Sequence, residues 1–517
     1  MLVLGDIPRK HARLDPGREC LVCEDTRLDW RTLNERVNRL ANGLAGLGVE
    51  HGTKVAVLAF NCHRYVETYY ATSKLGAVTV PLNFRLSPDE LAYVIDHSDA
   101  EVLLVGAEFA AVVEQIGDRL PQVKRYVTLG WRKEGWTDYE ELVESSEAGE
   151  PDVAVDEDDL CQLQYTGGTT GLPKGVMLTH RNYMTSTFGM GLANLFDPGD
   201  ATLQVLPIFH TAWWPILVHH CAGGKGVIIK QFDFNEILSL IGRERITHMN
   251  MVPILFSWIL DFPDLDKFDL SSIKYFTYAG APMPADLMKR LIEKFGPIFQ
   301  QGYGLTEAAP LATMLRAEDQ CRLEGPPELT RRLTSAGRES LVTEVHVVDE
   351  DDNDVAVGQI GEITVRGANI MKGYWKDPEL TAKAMRNGFL HTGDLARVDE
   401  DGFIYIVDRK NDMIITGGEN VYPFEVERVL YEHPAILEAA VVGMPDPKWG
   451  EAVTAAVAFK EGMSATDEEL IAFVRERIAG YKTPKRVIIM DAVPKTALGK
   501  VLRREVREHL QEMDVRD

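Results

Sequence analysis

The chain has 517 residues, 45% of them hydrophobic, and sets 55 Lys and Arg against 79 Asp and Glu for a formal net charge of −24. That balance argues against a nucleic-acid partner, which needs clustered cations to displace counterions. The length exceeds the roughly 250–300 residues of a single core, so two or three globular units are expected.

The first segment, Met-Leu-Val-Leu-Gly-Asp-Ile-Pro, lacks a basic region leading into a long apolar core, and no apolar stretch reaches the about 18 residues of a spanning helix. The expectation is a cytoplasmic protein with no integral membrane segment. Cys20 and Cys23 have CxxC spacing, but an extended chain sends residues three apart to opposite faces, so they read as ordinary strand cysteines. Asp29 can cap a helix whose apolar positions Leu33, Val37, Leu40, Leu44 and Leu47 recur at three- and four-residue steps. Residues 55–60 then read as a strand buried on both faces, 65–75 as a helix, and 77–80 and 102–105 as further strands. The alternation resumes with strands near 227–229, 247–250 and 275–278, which is how layered α/β sheets are written. From about Ser340 the pattern shifts to short alternating strands, 342–348 and 360–365, separated by Asp- and Gly-rich turns, giving a β-rich lobe. Beyond Arg409 the pattern is that of an α+β module, with helices over 423–431 and 467–478 and strands near 439–442 and 452–459. A boundary falls near 408–412.

The strongest chemical signal is Tyr165-Thr-Gly-Gly-Thr-Thr-Gly-Leu-Pro-Lys-Gly175, after the apolar stretch 160–164. Glycines let backbone amides approach phosphate oxygens, threonine hydroxyls add donors, and Lys174 supplies a point charge. This is not a Walker A loop, because Pro173 precedes Lys174 and no Gly-Lys-Ser/Thr follows. The segment resembles the signature loop of the adenylate-forming superfamily of acyl-CoA synthetases, peptide-synthetase adenylation domains and luciferases. Four further segments match in the same order, so the resemblance covers nearly the whole chain.

The resemblance implies an ATP-dependent acid–CoA ligase that works through an acyl-adenylate. It implies a large N-terminal adenylation domain, 1–408, a hinge at 409–411, and a small mobile C-terminal domain, 412–517. Thr166, Gly167, Gly168, Thr169, Thr170 and Lys174 would cradle the phosphates. Gly280, Ala281 and Pro282, with Gln301, Gly302, Tyr303 and Gly304, would line the nucleotide, and Thr306 would face the α-phosphate. Glu307 and Thr166 are carried over as Mg²⁺ ligands, a hard cation among oxygen donors. Asp394 in Thr392-Gly-Asp would accept from both ribose hydroxyls, assisted by Arg409. Lys500 in Pro494-Lys-Thr-Ala-Leu-Gly-Lys would bridge the acid carboxylate and the α-phosphate, where charge builds up. Without the resemblance, a lysine beside Arg503 and Arg504 reads as an exposed basic tail.

For coenzyme A, the resemblance points to Gly418 along the pantetheine path and to Trp449, Tyr481 and Lys485 at the nucleotide end. For the acid, His210 stands where amino-acid-activating relatives carry an aspartate, which disfavours an amino acid. Ala212, Trp213, Trp214, Gly280, Gly304, Pro310 and Leu311 would form a largely apolar pocket, and His210 is also carried over as catalytic. The expected substrate is a medium- or long-chain fatty acid; the alternatives are an aryl acid of benzoate or cinnamate type, or transfer to a carrier protein. A homodimer is left open. Three positions depart from the family pattern: Gly167 and Leu498 replace serines, and Asn411 stands where the hinge is commonly Asp or Lys. Slower turnover rather than lost function is expected from Gly167.

Overall fold

The computed structural model describes residues 3–166, 172–210, 213–281, 283–320, 330–410, 412–417, 419–495 and 501–514. The chain divides into two compact units, Met1–Val345 with Val365–Leu390, and His346–Thr364 with His391–Asp517.

In the first unit, the Asp29 carboxylate accepts from the Thr32 amide at 2.7 Å and starts the helix Trp30–Gly46, which buries Leu33, Val37, Leu40 and Leu44. The expected two-face-buried strand is Lys54–Leu58, lying in parallel between Val78–Pro81 and Ala100–Gly106, with Val55 to Leu58 wholly buried. Those strands are the middle of an eight-stranded sheet that runs on through Leu160–Thr166 and Lys174–Thr179 to the short edge strand Gly373–Tyr374. A second sheet of nine strands contains the parallel run Lys225–Ile228, Ala201–Gln204, His248–Met251, Tyr275–Tyr278 and Phe299–Gly304. Its apolar faces, including Leu203, Met249, Phe276 and Phe299, pack under flanking helices through Ile237, Ile241, Phe256 and Met288. Cys20 and Cys23 lie on Glu19–Cys23 in this sheet; both are buried, and burial pushes the Cys23 thiol up to about 12.

The strand Phe389–Val398, which belongs to the second unit from His391 on, is flanked by Gly361–Gly367 and Ile404–Arg409. A further five-stranded sheet pairs Ile436–Asp446 antiparallel with Gly450–Phe459. Alternation along these strands feeds two cores: Val441, Val453, Ala455 and Val457 meet the helices Pro423–Tyr431 and Asp467–Arg475, while Ala440, Val442 and Ala456 meet Val506 and Leu510 of the helix Arg503–Asp514. The helix expected to reach residue 478 ends at Arg475. Among the described residues no helix is long and apolar enough to cross a membrane.

Candidate active site

In open α/β sheets, ligands bind beyond the carboxyl ends of the parallel strands. Four adjacent parallel strands of the nine-stranded sheet end at Gln204, Met251, Tyr278 and Gly304. The segments that follow them hold Phe209, His210, Trp213 and Trp214; Val252; Gly280 and Ala281; and Thr306 and Glu307. One edge of one sheet therefore gathers candidates spaced about a hundred residues apart in sequence.

Gln301 pairs with Tyr278 on one side and Leu315 on the other, and is buried with Tyr303 and Thr306. At the strand end, a Cβ on Gly304 would lie 1.7 Å from the Pro310 carbonyl oxygen, so the backbone approach there admits only glycine. The Ala309–Pro310 peptide is cis. Leu311 is buried, and Asn369, fully buried, donates to the carbonyls of both Ala308 and Leu311 at 2.8 Å.

The phosphate-loop candidates are rooted in an antiparallel pair in which Thr166 faces Lys174 and Tyr165 faces Gly175. The edge strand Gly373–Tyr374 pairs with Val176 and Met177, and the Trp375 amide donates to the Gly175 carbonyl at 2.7 Å. The Trp375 indole N–H reaches the His97 carbonyl at 3.1 Å, and His97 Nδ1 lies 2.7 Å from the Tyr165 hydroxyl. Burial lowers the His97 pKa, with Lys376 adding to the effect. This strap also holds Glu307: the Met371 amide donates to the Glu307 carbonyl at 2.8 Å, and the Tyr374 hydroxyl donates to Oε1 at 2.7 Å. Burial and the neighbouring Glu307 push the Tyr374 phenol up, so it stays protonated as a donor. The Lys174 ammonium sits 5.9 Å from the Tyr374 ring centre. Thr166, Lys174 and Glu307 thus share one neighbourhood, joined by a tyrosine that the sequence did not single out; its signal is a strand pairing, invisible without the fold.

The two tryptophans are interior residues. Trp213 is fully buried, stacks on Tyr69 at 4.4 Å and donates to Gln162 Oε1 at 3.3 Å. Trp214 begins the helix Trp214–Cys221 and donates to Thr187 Oγ1 at 3.1 Å. Their polar edges are spent on protein partners, and Trp213 has no exposed surface in this structure. His210 is partly buried, its amide donating to the Pro207 carbonyl at 3.2 Å.

In the second unit, Asp394 lies opposite Arg409 across a strand pair, with Arg409 Nε 3.2 Å from Asp394 Oδ1. The turn bearing Asp394 is pinned: Thr392 donates to the Ile363 carbonyl at 2.8 Å, the Gly393 amide to Glu362 Oε1 at 3.1 Å, and the Lys410 amide to the Gly393 carbonyl at 2.8 Å. Lys410 Nζ meets the other Glu362 oxygen at 3.1 Å. Burial opposes ionisation of Glu362, but Lys410 outweighs it and the carboxyl pKa falls below its ordinary value.

Of the coenzyme A candidates, Lys485 Nζ lies 5.3 Å from the Trp449 ring, which is 38% exposed and packs over Gly417. Tyr481 is 41% exposed, with Lys482 rather than Lys485 against its ring. Arg503, close in sequence to Lys500, is drawn inward: Nη2 contacts both Glu427 oxygens at 2.8 Å, and Nη1 reaches Asp412 at 3.4 Å. Gly167, Gly168, Thr169, Thr170, Ala212, Pro282, Asn411, Gly418, Leu498 and Lys500 lie outside the described residues.

A glycine- and threonine-rich hairpin rooted beside a carboxylate that follows a parallel strand, with a Thr-Gly-Asp turn in a second unit, is the arrangement expected of an adenylate-forming ligase. The family model for the AMP-binding enzyme matches residues 8–375 and that for the AMP-binding enzyme C-terminal domain matches 425–500, so the chain belongs to this family. It is an AMP-forming acid–CoA ligase. The chain is 40% identical to a feruloyl-CoA synthase from Amycolatopsis over 98% of both chains. It is 34% identical to the long-chain-fatty-acid–CoA ligase FadD13 of Mycobacterium tuberculosis, again over 98% of both. Its fold matches the ATP-bound MatB of Rhodopseudomonas palustris with a TM-score of 0.89 at 28% identity, over 99% of this chain and all of that one.

Proposed function

We propose that the chain activates a hydrophobic monocarboxylic acid, with the acid carboxylate attacking the α-phosphorus of ATP and pyrophosphate leaving. The coenzyme A thiol, losing its proton, then attacks the acyl carbonyl and AMP leaves. A carboxylate is a poor electrophile because its oxide leaving group is strongly basic; exchange for AMP removes that obstacle. The single observation that carries the reading is the placement of Thr166 and Lys174, at the root of the phosphate loop, beside Glu307 through the Tyr374 strap.

In this scheme Lys174 and the loop donors hold the β- and γ-phosphates, and Lys500 neutralises charge between the acid carboxylate and the α-phosphate. Asp394 and Arg409 hold the ribose, and a hinge at 409–411 lets the C-terminal segment serve both half-reactions. Mg²⁺ fits the donor set, since a carboxylate and a hydroxyl are hard oxygen donors and this ion takes its remaining ligands from phosphates and water. When bound to Glu307 and Thr166, it would neutralise phosphate charge. Trp449 and Lys485 form a stacking and cationic platform suited to the coenzyme A nucleotide.

The first reading of the acid is a medium- or long-chain fatty acid, supported by the apolar character of Trp213, Trp214 and Leu311 beyond the strand ends and by the FadD13 likeness. An aryl-propenoic acid is the second, favoured by the 40% likeness to a feruloyl-CoA synthase. The test is a panel of fatty, aryl and short acids, scoring pyrophosphate release without coenzyme A and acyl-CoA with it. Fatty acids should give the highest kcat/KM. A cinnamate-type acid winning the panel would replace the first reading with the second, and pyrophosphate release without any thioester would overturn coenzyme A as acceptor. Lys500→Ala should abolish adenylate formation yet largely spare thioester formation from a supplied acyl-adenylate; equal loss in both would remove its assigned role.

A further inference from the structure

We infer that Tyr374 is a positioning residue for the metal carboxylate, a role that rests on the reading of Glu307 as a Mg²⁺ ligand. Glu307 sits on a single 3-10 turn, Thr306–Ala308, where a long side chain has many rotamers. The Tyr374 hydroxyl removes that freedom by donating to Oε1 at 2.7 Å, leaving Oε2 as the oxygen to be presented to a cation. Carboxylate ligands held by such an outer hydrogen bond are oriented before the metal arrives.

The phenol is itself fixed. Its strand pairs with Val176, its own amide donates to Thr381 Oγ1 at 2.9 Å, and the next residue is tied to Gly175 and His97. Gly373 is required for this, since a Cβ there would lie 2.8 Å from Thr381 Cγ2. The strap therefore transmits the position of the Thr166–Lys174 hairpin to Glu307. The hydroxyl sets the carboxylate, while the ring faces Lys174. A role in packing alone would need the ring and not the hydroxyl.

Tyr374→Phe deletes only the hydroxyl and keeps the ring. The experiment measures Mn²⁺ binding by electron paramagnetic resonance to the full chain saturated with α,β-methylene-ATP, for the wild type, Y374F, E307Q and the double variant. Y374F should weaken Mn²⁺ binding about 10-fold or more, raise the Mg²⁺ needed for half-maximal pyrophosphate release, and leave the thermal midpoint and the KM for the acid unchanged. It should have no further effect on top of E307Q. Wild-type Mn²⁺ affinity in E307Q would overturn the reading of Glu307, and this inference with it. A weakened E307Q beside an unaffected Y374F, or an equal Y374F effect in both backgrounds, would overturn the positioning role alone.

Discussion

Gly304 ends one parallel strand and Gly280 follows the end of its neighbour, but different constraints hold them as glycine. Gly280 has φ of +82° and its nearest atom to an added Cβ is Val252 Cγ1 at 3.9 Å, so alanine meets open space and suffers only backbone strain of about 1–2 kcal/mol. At Gly304 the clash is with backbone, the Pro310 carbonyl at 1.7 Å and its carbon at 2.8 Å, and relief requires the Gly304–Leu311 pairing to open. Gly304→Ala should therefore cost about 3 kcal/mol or more in urea unfolding, and Gly280→Ala clearly less. Equal losses would show that the two turns do not differ as described. Asp394 tests the nucleotide side. Its Arg409 partner is half exposed, so the ion pair adds about 0–1 kcal/mol to stability. Two charge-assisted bonds to a ribose diol are worth more, and Asp394→Asn should raise the KM for ATP about tenfold or more while the melting temperature stays within a few degrees.

At the scale of elements, the helix Trp30–Gly46 depends on its cap. Asp29→Ala removes the acceptor for the Thr32 amide and should lower stability by about 1 kcal/mol, read as a shift in the urea midpoint with unchanged slope. That helix was legible because its signals are local: a capping carboxylate followed by apolar residues at helical steps. The helix Pro423–Tyr431 and strands such as Lys54–Leu58 and Tyr275–Tyr278 were legible for the same reason, each a short run whose pattern is set by its own residues. The motifs single out Thr166, Lys174, Glu307, Asp394 and Arg409 as candidates. What they could not supply is the Tyr374–Glu307 bond, which joins residues 67 apart through a strand pairing, or the Glu362 carboxylate beneath the Thr392–Asp394 turn. The Arg503–Glu427 pair is likewise invisible in sequence, because the run of basic residues does not show the buried carboxylate that draws one of them inward.

Over the whole molecule, the two units should differ in how steeply they lose stability in mild acid. The first unit buries His180, His219, His220 and His248. Burial lowers their pKa values to about 4, 4, 3 and 3, with neighbouring His219 adding to the effect at His248. Above pH 6.5 folded and unfolded chains are both neutral at these rings. Below it the unfolded chain takes protons that the folded one refuses, so each ring removes up to about 1.4 kcal/mol per pH unit until its folded pKa is reached. In the second unit, burial raises the carboxyls of Asp408 and Glu427 despite Arg503, so the folded form there takes up protons more readily than the unfolded one and gains stability as pH falls towards the ordinary carboxylate range. Seven of the eight tryptophans belong to the first unit, the exception being Trp449. Tryptophan fluorescence in urea at stepwise pH should therefore show the midpoint dropping steeply between pH 6.5 and 4.5. Amide-exchange protection across residues 419–495 should persist to lower pH. A flat fluorescence midpoint over that window, or earlier loss of protection in the second unit, would mean that the buried histidines do not govern acid stability.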